Sequence, residues 1–95
     1  MDYKAVWHEE ALQDLKQLDK ARQKAIIEKV KTYLVKDPLN IGKPLQKQFK
    51  GLYRLRFDDY RINYAVDREN TKVIITRLKL LDEFQQIHYK SVKFT

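Results

Sequence analysis

Cysteine is absent from the chain, which excludes disulfides, thiol nucleophiles and cysteine-built metal centres. The absence suits a reducing compartment, so a cytoplasmic location is expected. Histidine is nearly as scarce. His8 and His88 lie at opposite ends of the chain, and no metal or other cofactor is expected. Gly42 and Gly51 are the only glycines, too few for a glycine-rich phosphate loop. A lone serine, Ser91, makes serine-nucleophile chemistry a poor fit. No apolar run approaches the roughly 18 residues that cross a bilayer. The opening MDYKAVWHEEAL has no apolar signal-peptide core, and no membrane partner is expected.

What the chain does have is positive charge. Twenty lysines and arginines against 13 acidic residues leave a formal net charge of +7, which favours an anionic partner. Ninety-five residues, 43% of them apolar, are enough for one domain over 1–95 with one core.

Residues 2–7, DYKAVW, alternate as a short first strand with Tyr3, Ala5 and Trp7 on one side. The period then changes. Ala11, Leu12, Leu15 and Leu18 predict a helix over 8–18, with Glu9 and Glu10 in its first turn. Asp19 reads as the N-cap of a second helix, whose apolar face carries Ala25, Ile26, Ile27, Val30, Tyr33 and Leu34 and which runs to Asp37-Pro38. Residues 38–51 hold both prolines and both glycines and read as a loop, made basic by Lys43, Lys47 and Lys50.

Residues 51–66, GLYRLRFDDYRINYAV, read as two strands joined by Asp58-Asp59. A two-residue loop places Phe57 opposite Tyr60, Arg56 opposite Arg61 and Arg54 opposite Asn63. One face is then apolar (Tyr53, Leu55, Phe57, Tyr60, Ile62, Tyr64, Val66), and Arg54, Arg56 and Arg61 share the other. Like charges directly opposite each other are destabilising, so folding alone does not account for them. After a turn at 67–71, residues 72–78, KVIITRL, predict a last strand. Pairing Tyr64 with Thr76 puts Ile74 and Leu78 on the apolar face and Arg77 opposite Asn63 on the basic one. In the tail, Leu80, Leu81, Phe84, Ile87 and His88 recur at helical spacing. The expected fold is α+β: an N-terminal strand, a two-helix hairpin, a three-stranded antiparallel meander completing one small sheet, and a short C-terminal helix.

The residues leave three readings of the basic face: a solvated surface, a dock for an acidic protein, or a phosphate platform. Arginine forks hold phosphate bidentately and stabilise charge that builds on phosphorus during phosphodiester cleavage. RNA supplies its own nucleophile, the 2′-hydroxyl, so orientation, charge stabilisation and proton transfer can suffice to cut it.

The segment ALQDL with Leu18, the Asp37-Pro38 turn, the Gly51–Val66 stretch and the strand ending Ile75-Thr76-Arg77 resemble the RelE/ParE toxin superfamily, and its RelE branch more than its ParE branch. The resemblance covers most of the chain. It implies a type II toxin that enters the ribosomal A site and cleaves mRNA by metal-free 2′-hydroxyl attack. It also implies an acidic, RelB-like antitoxin as partner and, through that antitoxin, an indirect link to operator DNA. By position, Arg54 and Arg56 match the family's paired basic residues, and Arg61 its Tyr-Arg motif. Arg77, Lys79, Lys43, Lys47 and Lys50 are the expected RNA-binding residues. The family's C-terminal basic pair and aromatic fall here on Leu80-Leu81 and Phe84. Lys79 can replace one charge, and His88 and Tyr89 become the candidates for acid–base work. The alternatives are a ParE-like inhibitor of DNA gyrase and a non-catalytic module that binds its antitoxin.

Overall fold

The computed structural model describes residues 2–80. One five-stranded sheet runs in the order β1-β5-β4-β3-β2, formed by β1 (Lys4–Trp7), β2 (Lys43–Pro44), β3 (Leu52–Phe57), β4 (Tyr60–Asp67) and β5 (Lys72–Leu80). β1 lies parallel to β5, and the other neighbours are antiparallel. Helices α1 (Glu9–Lys16) and α2 (Lys20–Thr32) supply the second layer, and a one-turn α3 spans Pro38–Ile41. The expected α+β architecture is present, with one more strand than expected. The expected C-terminal helix falls outside the described residues.

Both long helices start on a side-chain cap. His8 Nδ1 accepts from the Glu10 amide at 3.2 Å, and Asp19 Oδ1 accepts from the Arg22 amide at 2.8 Å. Ala11 and Leu15 of α1 are buried with Ile26 and Val30 of α2, while Leu12 is 40% exposed. The inward stripe of α1 is therefore Ala11–Leu15, extended past the helix end by the partly buried Leu18, and is narrower than the leucines suggest. α2 ends at Thr32, short of Asp37-Pro38, and a 3-10 turn follows over Leu34–Lys36. At about 100° per residue, a continued α-helix would carry Val35 to the side opposite Ile26. The tighter turn buries both Leu34 and Val35. Tyr33, expected in the core, is 43% exposed, with the Lys29 ammonium 4.2 Å from its ring centre.

The helical residues close on Leu55, Tyr60, Ile62, Tyr64, Val73, Ile75 and Leu78 of the sheet. The β3–β4 register is the expected one: Phe57 faces Tyr60, Arg56 faces Arg61 and Arg54 faces Asn63. Asp58 takes the left-handed conformation, φ 53°, that this tight hairpin demands. Between β4 and β5 the expected register holds only to Asn63–Arg77. A bulge then leaves Thr76 unpaired, so Tyr64 faces Ile75. The Thr76 hydroxyl donates to the Asn63 carbonyl at 3.1 Å. No unbroken alternation could bury Val73, Ile75 and Leu78 together; the extra residue does, and it leaves Ile74 on the outer face.

The segment expected to be a loop contains α3 and β2. A two-residue strand with proline has almost no periodic signal, and its edge position is where a missing amide is tolerated. Tyr64 fastens this segment to the core. Its phenol donates to the Pro38 carbonyl at 2.6 Å, its ring stacks on Tyr53 at 5.5 Å, and burial pushes its pKa up to about 12. Gly42 lies against that ring, and a Cβ there would overlap the Tyr64 hydroxyl. Gly42→Ala should therefore cost roughly 2–3 kcal/mol. A urea-unfolding midpoint equal to that of the unsubstituted chain would count against this packing.

Candidate nucleic-acid interface

Strand pairing builds the basic surface on the sheet face turned away from the helices. Lys43, Arg54, Asn63 and Arg77 form one row across β2, β3, β4 and β5. Arg56, Arg61 and Lys79 form a second row, two residues further along the strands. Within a row, neighbouring strands are about 4.8 Å apart, and the rows are separated by about 7 Å. Six cationic side chains therefore share one small patch. At the other end of the same face, Val6, Ile74, Ala65 and Leu52 line up as an apolar row.

The six cations differ in what they already hold. The Arg54 Nε donates to Asn63 Oδ1 at 3.1 Å, which aims the guanidinium without neutralising it. Arg77 is neutralised. Its Nε and Nη2 reach the two Asp14 carboxylate oxygens at 2.8 and 3.2 Å, and Nη1 reaches Glu10 at 3.2 Å. Asp14 also accepts from the Leu78 amide at 2.9 Å, clasping α1 to β5. Burial pushes the Asp14 carboxyl pKa up, but hydrogen bonds from Arg77 and the Leu78 amide and the charges of Arg77 and Lys79 outweigh it, so the net shift is downward. Among the described residues, the only ion pairs are Lys36–Asp2 and those of Arg77, which leaves Lys43, Arg54, Arg56, Arg61 and Lys79 without a carboxylate partner.

A cleft of about 260 Å³ opens on this face, lined by Phe49, Arg54, Arg61, Asn63, Arg77 and Lys79. The expected residues Arg54, Arg61, Arg77 and Lys79 thus converge, with Arg56 and Lys43 beside them in the rows. Lys47 and Lys50 stand outside the cleft, on the 3-10 turn Lys47–Phe49 and just after it. His88 and Tyr89 lie outside the described residues. Two residues of the site were not singled out in the sequence. Phe49 had a usable signal, an aromatic inside the lysine-rich QKQFKG. Asp14 lies in the ALQDL segment, but its role had no local signal, because its partners are 63 and 64 positions away. Among the described residues, no three His, Asp or Glu side chains cluster to hold a metal ion. No described helix is long and apolar enough to cross a membrane. The arrangement can grip phosphate and stabilise developing negative charge; among the described residues, no histidine, carboxylate or phenol lines the cleft.

A family model described as the ParE toxin of the type II toxin-antitoxin system parDE matches residues 5–79. Toxin RelG of Mycobacterium tuberculosis is 33% identical over 78 residues, 82% of this chain and 90% of the relative. Among solved structures, the RelBE2 toxin-antitoxin complex of Mycobacterium tuberculosis aligns with a TM-score of 0.81 and 31% identity, covering 84% of this chain and 99% of the other. A chain of the archaeal RelE-RelB complex from Pyrococcus horikoshii aligns at 0.65 with 26% identity, covering 85% of this chain and 97% of the other. With matching family model, sequence relatives and sheet topology, the chain belongs to the RelE/ParE family of toxins of type II toxin–antitoxin systems.

Proposed function

We propose that this toxin is a ribosome-dependent mRNA endoribonuclease. The observation that supports it best is the pair of cation rows, whose members other than Arg77 have no carboxylate partner among the described residues. Such a surface is unfavourable in the isolated protein and favourable against a phosphodiester. In the reaction, the 2′-hydroxyl attacks the adjacent phosphorus in line. The new 2′-oxygen–phosphorus bond forms as the bond to the 5′-oxygen breaks, leaving a 2′,3′-cyclic phosphate and a 5′-hydroxyl. Arg61 and Arg56 stabilise the charge gathering on the phosphoryl oxygens. Arg54, aimed by Asn63, positions the strand with Lys79. Lys43, Lys47 and Lys50 contact ribosomal RNA. Arg77, expected among the RNA-binding residues, contributes mainly through its clasp with Asp14.

The proton taken from the 2′-hydroxyl and the proton given to the 5′-oxygen fall to His88 and Tyr89. His88→Ala and Tyr89→Phe should each lower the cleavage rate, by roughly a hundredfold for loss of a general acid or base. Unchanged rates in both would remove these residues from the mechanism. Primer extension on a translated message, with and without the toxin, tests the whole reading: new mRNA ends should appear only with the toxin.

The proposed partner is an acidic RelB-like antitoxin, through which the pair reaches operator DNA in the cytoplasm. The RelBE2 and archaeal RelE-RelB complexes among the structural relatives support it. The face itself suits such a partner, with cations at one end and the Val6–Ile74–Ala65–Leu52 row at the other. The match to the ParE toxin family keeps a gyrase inhibitor as a second reading. Persistent DNA damage without new mRNA ends would favour it.

A further inference from the structure

We infer that Phe49 is a stacking platform for one base of the single-stranded RNA whose phosphates Arg54 and Arg61 hold. The inference rests on the RNA-binding reading above and adds to it a residue that grips the base. Phe49 is 48% exposed, the highest value among the large apolar side chains of the described residues. It is not among the partly buried residues that pack against the core, so stability does not account for its place. Of the other exposed large residues, Tyr33 already carries the Lys29 ammonium over its ring, and neither it, Val6 nor Leu12 lines the cationic cleft. Phe49 does, alongside Arg54, Arg61, Asn63, Arg77 and Lys79.

The backbone that carries the ring is also shaped before any ligand arrives. It ends the 3-10 turn Lys47–Phe49, where the Phe49 amide donates to the Gln46 carbonyl at 3.1 Å and the Lys50 amide to the Lys47 carbonyl at 3.1 Å. The loop is closed by the Leu45 amide donating to the Leu52 carbonyl at 2.9 Å. Lys47 at φ 57° and Gly51 at φ 101° turn the chain sharply on either side of Phe49. An open aromatic face beside a phosphate-gripping groove is the pairing used to bind single strands, because every base has a π-face to stack. An apolar protein side chain would find no use for the cations around it. A base joined to a phosphodiester uses both.

The test uses the whole toxin and a short 2′-O-methyl oligouridylate, which cannot be cleaved, beside the same sugar–phosphate backbone without bases. The unsubstituted toxin should bind the oligouridylate roughly tenfold more tightly than the abasic backbone. Phe49→Ala and Phe49→Leu should lose that preference while still binding the abasic strand, and Phe49→Trp should keep it. Leucine retains apolar bulk without a π-face, so it separates stacking from simple packing. A preference that survives in Phe49→Ala, or is missing in the unsubstituted toxin, overturns the inference while Arg61-dependent binding leaves the phosphate platform standing. Binding of both strands that Arg61→Ala does not weaken overturns the two together. A Phe49→Ala effect confined to antitoxin binding makes Phe49 a protein contact and likewise overturns it.

Discussion

Arg61→Ala should lower mRNA cleavage on translating ribosomes by roughly a hundredfold to a thousandfold, the usual cost of removing a preorganised donor from a transition-state site. It should do so without unfolding the protein. Arg61 is half-buried on the outer face and has no carboxylate partner among the described residues. It faces Arg56 directly across β3–β4 and Lys79 across β4–β5. Removing it relieves like-charge opposition worth some tenths of a kcal/mol per pair. The urea midpoint of the variant should therefore equal or exceed that of the unsubstituted toxin while its primer-extension signal collapses. Such a split marks a residue kept for binding charge. Undiminished cleavage would sink the phosphate platform, and a large fall in the midpoint would show that Arg61 is structural after all.

Asp14→Ala should do the reverse and act first on stability. The Asp14 side chain is only 16% exposed, and it accepts from two Arg77 nitrogens and the Leu78 amide. Alanine leaves that amide without its acceptor and the Arg77 fork held only by exposed Glu10. The loss should be about 2–3 kcal/mol, after discounting the ion pair because the Arg77 side chain is 40% exposed. For a domain of this size that lowers the Tm by roughly 10–20 °C. Acid should act through the same contact. The Asp14 carboxyl is held below its ordinary value of 3.8 in the folded chain. Its contribution is therefore complete above the unfolded value and is lost as pH falls through the folded one. Urea midpoints measured at neutral pH and below pH 4 should fall more steeply with acid in the unsubstituted toxin than in Asp14→Ala. Equal acid slopes, or equal midpoints at neutral pH, would remove Asp14 from this role.

Much of the basic surface was legible before folding, because its causes are local. Alternation along 52–57 and 60–66, with a two-residue turn between them, is enough to oppose Arg56 to Arg61 and Arg54 to Asn63. Asp19 before an amphipathic run is enough to start α2. Where the sequence reading went wrong, two local rules competed and packing chose between them. Val73 and Ile75 alternate in one phase and Leu78 in the other; the bulge at Thr76 satisfies both and turns Ile74 outward. Val35 is buried because the chain tightens after Thr32, and no periodicity announces that.

The cleft needed contacts between residues far apart in the chain. Asp14 reaches Arg77 from 63 positions away, which gives one cation of the row a carboxylate partner. Phe49 becomes part of the site only because a two-residue strand docks its loop on β3 beside Arg54. The sequence by itself determined the charge, the strand alternation and the hairpin that sets the arginines side by side, since each depends on neighbours one to nine residues apart. Only the tertiary structure decided which of those cations has a carboxylate partner among the described residues and which aromatic stands among them, because partnership depends on which distant carboxylates the closed core brings within reach.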